Sequence, residues 1–246
     1  MHTNISIITR TSRIQFLNDT VESVKNIINH PYEINWEYII VNDGNKDVSQ
    51  YLKSQSFPEN FSFIDLKEHV GRNKAFNLGV EKAKYDWIFV LDDDIILQRT
   101  LANFTKAIQN NSDTKWFVAD FIRVDTEAKY LFGQDYYGWN FDNCDEIIKA
   151  VFSAQHFIQF NTIFDKDLFK KVGRIDENIK GAEDLDLYLR FLENNQMPIY
   201  LNFYSHLHRM HTNNLSNGMT EDRYLNTHLK ELKDKYKHLY TKLLDK

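Results

Sequence analysis

The chain has 246 residues, 42% of them hydrophobic and 14% aromatic, so it can bury a full core and disorder is not its default state. Its net charge of -5 argues against general affinity for nucleic acid, which needs basic surface. The single cysteine, Cys144, excludes a disulfide within these residues and a cysteine-rich zinc site.

In chain order, the first hundred residues alternate between two hydrophobic periods. The runs "ISIIT" (residues 5–9), "WEYIIVN" (36–42), "FSFIDL" (61–66) and "WIFVL" (87–91) are short and rich in β-branched and aromatic residues, as buried strands are. Helical spacings lie between them: Phe16, Val21, Val24 and Ile28 in the first, Ala75, Leu78, Val80 and Ala83 in the third. Strands alternating with helices predict an open, mostly parallel, doubly wound sheet. Ligands of such sheets bind beyond the carboxyl ends of the strands. Thr9 to Arg13, Asp43 with Gly44, Gly71 with Arg72, and Asp92 to Asp94 all fall at that edge.

The second half is less regular. "KWFVADFIRV" reads as a strand, "QDYYGWNFDNCDE" as an aromatic, polar loop, and residues 165–195 as two helices joined by a glycine-containing turn. "MPIYLNFYSHLHRMH" reads as a last strand, followed by the turn-rich "TNNLSNGMT". No internal repeat or low-complexity linker divides the chain. In residues 220–246, Leu225, Leu229, Leu232, Tyr236, Leu239 and Leu243 form one apolar stripe, which predicts an amphipathic helix packed on the body. A homodimer contact or a peripheral membrane contact is the alternative use of that stripe. The first residues carry no signal-peptide pattern and no window approaches the ~20 apolar residues of a spanning helix, so a cytoplasmic protein is expected.

Three adjacent carboxylates, Asp92, Asp93 and Asp94, close an apolar strand, where like charges repel and burial without a partner is costly. A divalent cation such as Mg²⁺ or Mn²⁺, which takes oxygen ligands, would relieve this; the alternative is a solvated turn of capping aspartates. Continued strand geometry would turn Asp92 and Asp94 to one face. Asp43 suits a turn beside glycine as well as it suits a nucleobase or ribose acceptor. Arg10, Arg13, Arg72 and Lys74 offer charge to a diphosphate, though each alone also reads as a surface cation. Glu183 and Asp184 stand where a loop becomes a helix, either as dipole-stabilising carboxylates or with one as a general base, while Asp186 points elsewhere. Alternation puts His206 and His208 on one face, apart from His211, which as the strand-end histidine is the best placed to touch a metal or phosphate.

Taken together, "SIITRTSR", "YIIVNDG", "GRNKAFNLGVEKAKYDWIFVLDDDIIL", "FDKDLFKKVGRIDENIKGAEDLDLYLRF" and "HRMHTNNLS" resemble the family 2 glycosyltransferases of the GT-A fold, across residues 5–216. The resemblance implies an α/β, Rossmann-like, open and mostly parallel sheet flanked by helices. It implies one domain over residues 1–219, with a nucleotide-binding half at 1–98 and an acceptor-binding half at 99–219, before the C-terminal helix at 220–246. It also implies a nucleotide-sugar donor, usually UDP-linked, a divalent Mn²⁺ or Mg²⁺, and inverting transfer to a hydroxyl of a glycan, lipid-linked or other acceptor. By position, Thr9 and Asp43 would contact the nucleoside. Asp92, Asp93 and Asp94 would form the DxD-like motif, with Asp94 as the direct metal ligand. Asp184 matches the catalytic base and His211 a histidine at the metal or diphosphate. In "AFNLG", Phe76 replaces an arginine of many members, whose role passes to Arg72 or is absent. Two other classes compete. A haloacid dehalogenase-type phosphatase is suggested by "FVLDDDII", but Ile96 stands where Thr or Val is expected; a catalytically idle nucleotide or sugar binder would be told apart by lack of turnover.

Overall fold

A computed structural model describes residues 3–134, 137–179, 181–211 and 227–244. Side-chain alternation sets its layers. Strand β1 (Thr3–Thr11) sends Ile5 and Ile7 into one core and Ile8 into another, and β2 (Ile34–Asn42) divides Tyr38 and Ile40 from Ile39 and Val41 in the same way. All seven are fully buried, each worth about 1.5–3 kcal/mol by removal from water, and a sheet buried on both faces needs helices on both. Helices α1 (Leu17–Lys25), α2 (Lys46–Ser54) and α4 (Thr100–Asn110) cover the first face. The second is covered by α3 (Arg72–Lys82), α5 (Cys144–Phe152), α6 (Lys166–Lys171) and α7 (Glu183–Glu193).

The remaining strands are β3 (Phe61–Asp65), β4 (Trp87–Val90), β5 (Ile95–Ile96), β6 (Trp116–Val124), β7 (Ile163–Asp165) and β8 (Ile199–Arg209), and the sheet order is β3-β2-β1-β4-β7-β6-β8-β5. β7 runs antiparallel to β4 and β6, and β5 antiparallel to β8; the other pairings are parallel, as expected. Ile8 lies opposite Ile39 on one side and Val90 on the other, so β1 and β4 flank the point where strand order reverses. The crevice of a doubly wound sheet opens there.

Several boundaries differ from the sequence reading. Helix α1 stops at Lys25, which leaves Ile28 outside it and 43% exposed. β4 stops at Val90, and α5, β5 and β7 had not been separated from their surroundings. The expected C-terminal helix is two short ones, α8 (Leu229–Lys235) and α9 (Lys237–Leu244), broken at Tyr236. There the backbone leaves helical geometry, at φ -107 and ψ 36, while the phenol hydroxyl donates to the Asp186 carboxylate at 2.7 Å. Leu229, Leu232 and Tyr236 are nonetheless buried in the α5/α7 core, so the apolar stripe does pack on the body. Leu225 and residues 212–220 lie outside the described residues. No described helix is long and apolar enough to cross a membrane.

Candidate functional site

The site grows from the carboxyl ends of β1 and β4. Thr9, expected at a nucleoside, is fully buried: its hydroxyl donates to the Leu91 carbonyl at 2.5 Å and accepts from the Tyr38 hydroxyl at 2.9 Å. Arg10, one residue on, turns into the crevice. Its guanidinium lies 4.4 Å from the Phe160 ring centroid and 5.6 Å from that of Phe76. From that aromatic seat it donates to Asp92 at 3.3 Å, to the Arg72 carbonyl at 3.3 Å and to Glu183 at 3.1 Å. Phe76 thus has a job of its own as a wall for Arg10. Arg72 brings a second guanidinium to the same place, 2.8 Å from Glu183 and 3.7 Å from Asp92.

The aspartate triplet does not continue the strand. Because β4 ends at Val90, the three side chains fan out, and the expectation that Asp92 and Asp94 share a face is corrected. Asp92 faces Arg10 and Arg72. Asp93 pairs with Arg13 and accepts from the Thr11 hydroxyl at 3.2 Å; burial pushes its carboxyl up, with the Arg13 charge opposing. Asp94 is 4% exposed and accepts from the Arg209 backbone N–H at 2.7 Å and the Asn161 amide at 2.6 Å. Burial works against its charge, but His208, His206 and the Arg209 N–H hold it below the usual carboxylate range.

Across the crevice a tight turn opens α7. Gly181 has φ +149 and Ala182 sits in the left-handed region at φ 53, and together they deliver Glu183 and Asp184 to the first helical turn. The two neighbours are then treated oppositely. Burial would raise Glu183, but the Arg72 and Arg10 guanidiniums overcome it and hold this carboxyl below its ordinary range. Asp184 has no ion pair among the described residues; burial beside the charged Glu183 pushes it up to about 6. Its Oδ1 accepts from the Leu185 N–H at 2.9 Å, which fixes the carboxylate plane. Two adjacent carboxylates so separated divide into a permanently charged group and a proton acceptor.

Asp94, His206 and His208 form the one group among the described residues whose carboxylate and imidazole atoms could hold a metal, with all three ligand atoms within 4.8 Å of one another. His208 Nδ1 is 3.3 Å from Asp94. His206 is 1% exposed, its Nδ1 meets the Ser205 hydroxyl at 2.9 Å, and its Nε2 has no hydrogen-bond partner. Burial depresses this imidazole to about 4, keeping it neutral, as a ligand must be. An orphaned, buried nitrogen facing a carboxylate and a second imidazole fits a divalent cation. His211, the expected ligand, is not in that group; its ring packs on Phe16 at 5.2 Å, and burial, then Arg13, lowers it to about 4. Strand alternation had put His206 and His208 on one face, as they are here; Asn161, in an irregular loop, gave no such signal.

The remaining candidates lie at the rim. Asp43 is buried with Oδ1 accepting from the Val70 N–H at 2.7 Å and Oδ2 2.9 Å from His69, so it latches the loop between β3 and α3. Gly44 beside it has φ +75, and a Cβ there would meet the His69 nitrogen at 2.3 Å, so only glycine lets that loop approach. Lys74 is exposed on α3.

A sheet that reverses order at β1/β4, with guanidiniums and carboxylates gathered over the reversal, defines an α/β protein of the GT-A type. Its solved likenesses agree: S. aureus TarS 1-349 in complex with UDP-GlcNAc matches at a TM-score of 0.69, covering 90% of this chain and 63% of that one at 15% identity. The chain belongs to glycosyl transferase family 2, whose description matches residues 5–173. An uncharacterized glycosyltransferase of Rickettsia bellii is 26% identical over 185 residues, 73% of this chain. The poly-beta-1,6-N-acetyl-D-glucosamine synthase of Staphylococcus aureus is 37% identical over 83 residues, 33% of this chain. The matches span only 25% and 20% of those two proteins. Family membership sets aside the phosphatase reading of "FVLDDDII".

Proposed function

We propose that this chain transfers a sugar from a nucleotide-linked donor, UDP-linked in the first instance, to an acceptor hydroxyl with inversion, Asp184 acting as the general base. The observation that carries the reading is the divided pair at the start of α7: Glu183 held ionised by Arg10 and Arg72, and Asp184 raised to about 6 with no ion pair among the described residues. A base with a pKa near 6 is ionised at neutral pH yet basic enough to take a proton as the acceptor oxygen attacks. Glu183 stays charged beside it and so cannot relay the proton onward; its role is to anchor the two guanidiniums.

Arg10 and Arg72 offer forked donors toward a diphosphate at the reversal point, and Arg10 is kept rigid by Phe76 and Phe160. Asp94, His206 and His208 are the residues that would hold a divalent cation, which when bound supplies Lewis-acid neutralisation of a departing diphosphate. Asn161 and the Arg209 N–H orient Asp94 for that task. Asp92 meets both guanidiniums, Arg10 at 3.3 Å and Arg72 at 3.7 Å, and so holds them together. The UDP-GlcNAc of the TarS complex and the synthase relative support a UDP-N-acetylhexosamine as the first donor to test.

The test is release of UDP from a panel of nucleotide sugars with Mn²⁺. One UDP-sugar should be turned over, and Asp184→Asn should lower the rate by about 10²- to 10⁴-fold while leaving UDP affinity within twofold. Asp184→Asn turning over at the wild-type rate would sink the assignment of the base.

A further inference from the structure

The buried carboxylate of Asp186 takes no part in the chemistry above, and two of its three partners come from outside the glycosyltransferase motifs. It is fully buried on α7, two residues past Asp184. Arg190, one turn along, donates to it at 2.6 Å. The other two partners belong to the C-terminal segment: the Tyr236 hydroxyl at 2.7 Å and the Lys235 ammonium at 2.6 Å. Taking a carboxylate fully out of water is expensive, and removing one partner of such a cluster leaves charge unmatched. Asp186 is therefore a point where α8 grips the helix that carries the base.

The grip has two further fingers. A Cβ on Gly181 would lie 2.4 Å from the His228 ring, so the C-terminal segment sits directly on the turn that delivers Glu183 and Asp184. Lys235 also reaches Asp176 at 2.8 Å, and the Asp176 carbonyl accepts from Asn73 at 3.1 Å, next to Arg72 in the first turn of α3. One ammonium thus braces both walls of the charged site, the α7 turn bearing Asp184 and the α3 turn bearing Arg72.

We propose that Tyr236 and Lys235 are positioning residues, which hold Asp186 from behind and thereby fix the first turn of α7 at the pitch that keeps Asp184 desolvated and aimed at the acceptor oxygen. This inference rests on the reading of Asp184 as base. Among the described residues, the groups that face Asp184 are Glu183 on its own helix, Arg72 and Arg10 from α3 and β1, and the Tyr188 phenol one turn on, and none of these belongs to the C-terminal segment. A loss of the grip reaches Asp184 only through the backbone of α7. Small displacements at a reacting centre are costly: about 1 Å is worth up to about a hundredfold in rate.

The experiment uses the full chain with Tyr236→Phe, which removes one hydroxyl, and Lys235→Met, which keeps the chain length and removes the charge. Turnover of UDP-GlcNAc with Mn²⁺ is followed against pH, and the Asp184 carboxyl is titrated by ¹³C NMR, its signal assigned by loss in Asp184→Asn. Each variant should lower kcat about tenfold with KM within twofold, and should shift both the acidic limb of kcat and the Asp184 titration downward by at least about half a pH unit as water reaches the loosened turn. A mere loss of folded protein would lower kcat without moving either titration. Unchanged titration and unchanged kcat in folded variants would overturn the proposal while leaving the base intact. A shifted titration together with full activity of Asp184→Asn would keep the positioning role and overturn the base. If UDP-GlcNAc is not turned over, the NMR titration decides alone: a downward shift supports the grip and no shift overturns it.

Discussion

The site contains two clusters of three carboxylates, Asp92, Asp93 and Asp94 on one bank and Glu183, Asp184 and Asp186 on the other, and they are built alike. In each, one member faces the shared guanidiniums: Asp92 and Glu183 both bind Arg10 and Arg72. In each, one member is raised by burial, Asp93 and Asp184. In each, one member is sunk into the fold and held by several donors, Asp94 by Asn161 and the Arg209 N–H, and Asp186 by Arg190, Lys235 and Tyr236. The clusters differ in what completes them. Among the described residues, Asp93 has Arg13 whereas Asp184 has no ion pair; Asp94 meets two imidazoles, whereas Asp186 meets cations and a phenol. Like carboxyl groups acquire different acidities from their partners, and the functional proposal assigns a cation to the first bank and a proton to the second.

The largest expected effect separates the two banks through the cation. Asp94→Asn, His206→Ala and His208→Ala should each weaken Mn²⁺-dependent UDP binding by about 10- to 100-fold, measured by calorimetry with and without the metal. His211→Ala should stay within about threefold. Equal losses for His211→Ala and His206→Ala would break the distinction between the strand-face histidines and the strand-end one. UDP binding without metal should be weak for all of them, since the proposed cation no longer offsets the charge of the diphosphate.

The two banks were unequally legible in sequence. Alternating apolar runs revealed the first four strands and the parallel sheet, since burial on both faces leaves no polar face to confuse the period. The two-residue β5 and three-residue β7 exist only through pairing with β8, β4 and β6, and no local signal marks such short strands. Asp92 and Asp94 were assigned one face on the premise that β4 continued; the strand stops at Val90 and the premise fails. Glu183 and Asp184 could be placed at a helix start, but their division into fixed charge and proton acceptor depends on Arg10 and Arg72, more than a hundred residues away in sequence. The break at Tyr236 carries no local signal, and the carboxylate its phenol meets, Asp186, lies in another helix.

An intermediate effect tests the guanidiniums that the banks share. Arg72 lowers both Glu183 and Asp184, so Arg72→Gln should raise both carboxyls. The acidic limb of the rate profile should then move up, toward neutral pH, and turnover at pH 6 should fall by about tenfold, with less loss at pH 8. A limb that stays in place would mean that Arg10 alone sets the charge of the pair.

The smallest effect concerns stability, and its sign follows from the raised Asp184. An ordinary unfolded aspartate titrates near about 3.9, while burial beside Glu183 holds the folded one up at about 6. Protonated Asp184 is favoured by the fold, so its contribution is fully present below about pH 4 and is lost as pH rises through about 6. At pH 7.5 the native state must carry an ionised carboxylate next to a like charge. Asp184→Asn removes that burden and keeps the side-chain shape, so it should stabilise the protein by about 1–2 kcal/mol at pH 7.5, seen as a melting temperature higher by about 2–6 °C, with little gain at pH 4. A variant inactive yet more stable only above pH 6 would identify Asp184 as a group kept for its chemistry at the expense of the fold. The metal-side carboxylate should behave oppositely: Asp94 is lowered and tightly donated to, so Asp94→Asn should cost stability at neutral pH, and less as acid protonates Asp94 in the native protein.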